Sequence, residues 1–175
     1  MQIHEINLYD LKNVSSLSPF VCTNFSEAAA VCLGHHNHPE PVNVQVIGDL
    51  EQLLAVSFGE VSEQLLKSHK DKEYAVEDGA YCLAMLIIEY FTDFTIAEQA
   101  TKRIGVDYFL NKKGDASPTP SGKLEVSGIL KGTKQQINQR IRQKVKQVQK
   151  GGFPELTAFI IVVEFSTPLI KVKKL

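Results

Sequence analysis

The 175-residue sequence is poor in the features that usually announce a protein class. It has only three cysteines, Cys22, Cys32 and Cys82, an odd number without paired metal-ligand spacing. That excludes a disulfide framework and reads as reduced thiols filling a core. It has no long apolar run: the most hydrophobic stretch, 80–91, is too short to cross a bilayer and contains Glu89, so it reads as a core helix and no membrane partner is expected. The basic residues and apolar block of an export signal are missing, because Glu5 and Asp10 stand where they would begin, and a cytoplasmic location is expected. A P-loop, a dinucleotide fingerprint and a Gly-x-Ser-x-Gly nucleophile context are also lacking. No internal repeat occurs.

What is present is ordinary globular material, 43% hydrophobic and 22% charged, and the length suits one domain over 1–175. The net charge of −1 conceals a division. Residues 1–100 hold 15 Asp and Glu against 4 Lys, a net of −11, whereas 101–175 hold 15 Lys and Arg against 5 acids, a net of +10. Two readings stay open: a basic face that draws a polyanion such as nucleic acid, or two oppositely charged halves that pack on each other.

The informative stretch is 104–130. Two short segments rich in Val, Ile, Leu, Tyr and Phe flank a turn containing Gly114, Pro118, Pro120 and Gly122, which reads as an antiparallel hairpin. Each strand carries one acid among apolar neighbours, Asp107 and Glu125. A lone buried carboxylate is costly without a partner. Strands lie about 5 Å apart, so facing carboxylates can share a divalent cation through oxygen ligands.

Around this hairpin the chain reads as follows. Residues 1–20 have no strong period and form a loose lead-in. Ser26 reads as the N-cap of a short helix, 28–33, that Gly34 ends. His35, His36 and His38 sit close together, but no acid or Cys stands at ligand spacing, so a solvated loop is preferred over a metal site. Strands are expected at 42–47 and 53–58, and an amphipathic helix at 60–69. A long helix spans 71–91; Glu77, Tyr81, Ala84 and Ile88 share one face, so Glu77 either faces the sheet or simply favours the helix start. A second long helix, 133–150, starts at Thr133, ends at Gly151-Gly152 and has no acid. Its apolar stripe is Ile137, Ile141, Val145 and Val148; Arg140, Lys144 and Gln147 lie along one edge, and Arg142 and Lys146 lie on the far side, suited to a phosphate backbone or to a plain solvated face. A buried strand follows at 156–165, ended by Pro168, with a basic exposed tail from Lys171. That strand and the segment after it suit either a homodimer contact or burial within one chain.

This order, an acidic helix, a strand with Asp107, a strand with Glu125-Val126-Ser127, a basic helix and a buried strand, resembles the restriction-endonuclease-like, or PD-(D/E)XK, nuclease superfamily. The resemblance covers roughly 71–165. It implies an α/β fold whose core is a helix, an antiparallel three-stranded meander, a helix and a strand, with 1–70 as a family-specific N-terminal α/β extension. It further implies a Mg²⁺- or Mn²⁺-dependent phosphodiesterase acting on DNA or RNA, with Asp107 and Glu125 as metal ligands and Glu77 as a helper. Ser127 stands where that superfamily has a catalytic Lys. Either a cation comes from elsewhere, Lys144 first and Lys123 second, or the site is degenerate and the chain is a binding or interaction module. Lys123, Arg140, Arg142, Lys146 and Gln147 are the residues expected to meet nucleic acid. In a third reading the acids are structural, with Glu125 in a buried ion pair to Arg140 or Lys144.

Overall fold

The computed structural model describes residues 2–175. The chain runs β1 (Ile3–Asn7), a 3₁₀ turn (Leu8–Asp10), α1 (Leu11–Val14), α2 (Pro19–His35), β2 (Val42–Gly48), β3 (Gln52–Ser57) and α3 (Glu63–Ser68). It continues through α4 (Lys72–Phe91), β4 (Phe94–Gln99), β5 (Tyr108–Lys112), β6 (Gly122–Ile129), α5 (Lys134–Lys150), β7 (Thr157–Glu164) and β8 (Leu169–Lys174). All eight strands join one mixed sheet in the order β1-β3-β2-β8-β7-β6-β5-β4. One α/β domain results, and no helix among the described residues is long and apolar enough to cross a membrane.

The middle of the sheet follows from its sequence. Seven of the eight residues of β7 are buried, because this nearly continuous apolar run is covered on both faces. One cover is α4, packed on α2; its side chains Met85, Leu86 and Ile88 share a core with Leu124, Val126 and Ile161. The other is α5, whose stripe of Ile137, Ile141 and Val148 packs on Ala158, Ile160 and Val162. Caps fix both helices. Asp71 accepts the N–H groups of Glu73 and Tyr74, and Thr133 and Gln136 form a reciprocal capping box.

Strands β4, β5 and β6 make an antiparallel meander, α5 crosses over, and β7 lies parallel to β6. The N-terminal strands are attached through β8, which pairs antiparallel with β7 and parallel with β2.

Several expectations are corrected. The lead-in is ordered, since β1 pairs with β3 and its single buried residue, Ile6, leaves too little alternation to read. Helix α2 starts at Pro19, not Ser26; Ser26 is buried in mid-helix, where its one hydroxyl proton lies between the carbonyls of Leu8 and Cys22, at 2.8 and 2.9 Å from its oxygen. The histidines are tethered rather than merely solvated: His36 Nε2 pairs with the Leu130 carbonyl at 2.6 Å and His38 Nε2 with that of Phe165 at 2.8 Å. The basic tail is strand β8, with Leu169, Ile170 and Val172 buried among its lysines. The three cysteines are free and buried.

Candidate acidic site between two helices

Strand β6 pairs with β7 along its whole length but with β5 only over residues 122–124. Beyond Leu124 its other edge is open, because the chain entering β5 turns away at Asp107. Asp107 donates its N–H to the Leu124 carbonyl at 3.0 Å, which places it opposite Glu125. Its Oδ2 accepts the Val126 N–H at 2.8 Å, so the side chain itself caps the unpaired edge.

Helix α4 supplies one wall. It comes close to β6 at Gly128, where an added Cβ would lie 2.4 Å from the Val76 carbonyl. Tyr81 then reaches the acids: its hydroxyl stands 3.1 Å from Asp107 Oδ1 and 3.2 Å from Glu77 Oε1. One phenolic proton serves one of these carboxylates at a time. Burial first, then the charges of Asp107 and Glu77, push the Tyr81 phenol far up, so it acts as a donor and not as a base.

Helix α5 supplies the other wall through residues at i, i+4 and i+7. Arg140 Nη1 donates to Ser127 Oγ at 2.7 Å, Lys144 Nζ donates to Glu125 Oε1 at 2.5 Å, and Gln147 Nε2 donates to the same oxygen at 2.9 Å. Between the walls lies an open groove of about 210 Å³ lined by Glu77, Tyr81, Asp107, Ser127, Arg140 and Lys144.

The electrostatics centre on Glu125, which is 1% exposed. Its Oε2 is buried and meets no N–H or hydroxyl donor among the described residues; the Asp107 carboxyl is within hydrogen-bond reach of Glu125 and bonds to it when one of the two acids is protonated. Burial, and after it the charge of Asp107, push its carboxyl up to about 7, although Lys144 pulls the other way. Asp107 is raised too, chiefly by burial, with the Val126 N–H and Lys144 opposing. Two neighbouring carboxyls that both resist ionisation would be relieved by a cation between them.

The residues selected from the sequence thus separate into two groups. Glu77, Asp107, Ser127, Arg140 and Lys144 line the groove, and Glu125 and Gln147 join it from behind through their bonds with Lys144 and with each other. Lys123 does not: it is buried, and its Nζ is bound by the carbonyls of Gly152 and Phe153 at 3.0 and 2.8 Å. Arg142 and Lys146 are exposed on the far side of α5, away from the groove. Tyr81 and the Val126 N–H complete the arrangement without having been singled out for it. The i+4 spacing of Tyr81 from Glu77 was the available signal for the first; the second, a main-chain contact, left none.

No cluster of three or more His, Cys, Asp or Glu side chains able to hold a metal ion occurs among the described residues. Two carboxylates nevertheless suit a hard divalent ion of the Mg²⁺ type, which keeps several waters and takes its remaining oxygens from a phosphate. The donor-free Oε2 of Glu125 is the oxygen such an ion would use. No protein-family model, no curated protein and no solved structure matches the chain.

Proposed function

We propose that the chain is a divalent-metal-dependent phosphodiesterase acting on nucleic acid, with a restriction-endonuclease-like core. The observation that carries this reading is the acid pair: Asp107 lines an open groove walled by Arg140 and Lys144, and behind it Glu125 is a fully buried carboxylate with one oxygen that meets no N–H or hydroxyl donor. The order α4, β4-β5-β6 meander, α5, β7 supports it as the arrangement the sequence resemblance implies.

Asp107 and Glu125 would hold Mg²⁺ or Mn²⁺, with Glu77 at the groove mouth as a helper. Such an ion supplies Lewis acidity toward a phosphoryl oxygen and toward the attacking water. The chain's own residues do the rest. Tyr81 donates to Asp107 and holds its orientation. Lys144 and Gln147 hold Glu125 Oε1, which leaves Oε2 toward Asp107. Ser127, in place of a lysine, positions the Arg140 guanidinium over the groove, where a bidentate cation suits the developing charge on a phosphate. Arg142 and Lys146 are left to the flanking backbone, which they would follow without reading bases.

Titration calorimetry with Mg²⁺ and Mn²⁺ tests this. The wild type should bind one ion, and Asp107→Ala and Glu125→Ala should each abolish binding. Absence of binding with and without a short duplex refutes the mechanism. One observation favours a second reading: the Lys144–Glu125 ion pair at 2.5 Å already neutralises much of the site. A degenerate, non-catalytic binding module would keep this pair and show no metal response.

A further inference from the structure

Beyond the acid pair, the same side of the sheet carries a feature that the phosphodiesterase reading leaves unused. Two residues along from the facing Asp107 and Glu125 is the facing pair Phe109 and Lys123. The separation is about 7 Å. Over this pair sits the turn that follows α5. Phe153 packs its ring edge-on against Phe109, centroids 5.3 Å apart, and yet stays 42% exposed.

The turn is held from several directions. Lys123, buried beneath it, donates to the carbonyls of Gly152 and Phe153. The Gly152 N–H donates to the Ile104 carbonyl at 3.3 Å, and the Leu156 N–H to that of Phe153 at 3.2 Å. Gly105 and Gly151 let the two backbones meet, since a Cβ on Gly151 would stand 2.7 Å from the Ile104 carbonyl. Phe153 itself has φ +60°, a left-handed conformation that a bulky side chain rarely adopts. A glycine would relieve that strain, so the aromatic ring is held in place against the backbone preference.

The surroundings indicate what the ring meets. Lys102 and Arg103 are exposed on the loop that docks against this turn, and Lys150 is exposed in the last turn of α5. Glu155 is the acid nearby. An exposed ring amid cations, about one nucleotide's reach from the acid pair, is the combination by which proteins hold unpaired bases: cations track the phosphates, and the ring takes a base face. A duplex keeps its bases stacked inside and offers the ring nothing.

We propose that the 151–154 turn is a base-stacking platform and that the nucleic acid accepted by this site is single-stranded where it crosses Phe153. The proposal rests on the nucleic-acid reading of the groove and names its substrate class.

Fluorescence anisotropy in EDTA, with a labelled oligothymidylate and a labelled hairpin duplex, tests it. The wild type should prefer the single strand, and Phe153→Ala should weaken that binding about tenfold while leaving the duplex unchanged. Phe153→Leu, which keeps apolar packing on Phe109, should lose affinity as Ala does, and Phe153→Trp should retain it. The salt dependence should stay the same in all three, because no charge is removed. A Leu variant that binds like wild type, or equal affinity for both nucleic acids, overturns the platform. The latter outcome together with intact metal binding overturns it alone; failure of both oligonucleotides to bind overturns the nucleic-acid reading as well.

Discussion

Two glutamates on adjacent strands have the same burial and opposite fates. Glu164 ends β7 and Glu125 lies in mid-β6, each 1% exposed. Glu164 accepts from the N–H and hydroxyl of both Ser166 and Thr167 and from the Gly132 N–H, and these bonds hold its carboxyl below the usual range despite burial. Glu125 is left with a donor-free oxygen and a neighbouring acid, and is pushed up to about 7. The comparison shows that this chain can satisfy a buried carboxylate fully where the role is structural. The lack of donors at Glu125, whose second oxygen has only the Asp107 carboxyl to share a proton with, is therefore a property of that site.

The largest effect expected is at the satisfied residue. Glu164→Ala removes the acceptor of five hydrogen bonds at the β7–β8 turn and the entry to α5, and should destabilise the fold by about 3 kcal/mol in urea denaturation. A loss as small as that of an exposed site would break the contrast.

Glu125→Gln should act in the other direction. A carboxyl whose folded pKa is raised binds its proton more tightly in the native state, so stability falls as pH rises from about 4.5 to about 7. Gln has no such proton, so the variant should be more stable than wild type by about 2 kcal/mol at pH 8, with the difference vanishing below pH 4.5. Glu164, with a lowered pKa, contributes the opposite slope: stability present above the ordinary carboxylate range and lost as pH falls through its folded value. Chemical denaturation across pH reads both slopes.

The smallest effect sharpens the cause. Lys144→Met removes the ammonium that opposes the upward shift, so Glu125 should titrate still higher by carbon NMR, while stability changes by only about 1 kcal/mol because the carboxyl neutralises instead.

Much of this site was legible before folding. The apolar stripe of α5 orients Arg140, Lys144 and Gln147 toward one edge by helical geometry alone, and the lone acids, Asp107 just before β5 and Glu125 within β6, mark themselves by their apolar neighbours. Elements whose pattern depends on distant partners were not. Residues 94–99 pass unnoticed because β4 has only two buried residues, and its edge is closed from outside by Glu89, which accepts the Ile96 N–H, and Ser16, which donates to the Ile96 carbonyl. Lys123 reads as a free cation until the turn after α5 is seen to fold over it. Strand β8 alternates Lys and Val within a tail whose basic character dominates, and only its neighbours β2 and β7 make it central.

That last placement bears on how the molecule is made. Strand β8 follows every other element in the chain, yet it alone joins β1-β3-β2 to the rest of the sheet. During vectorial synthesis the edges of β2 and β7 therefore wait uncovered, two hydrophobic strands with open hydrogen-bonding sides, until the segment that seals both has left the ribosome. The interval before closure is when this protein is most exposed to pairing with the wrong partner.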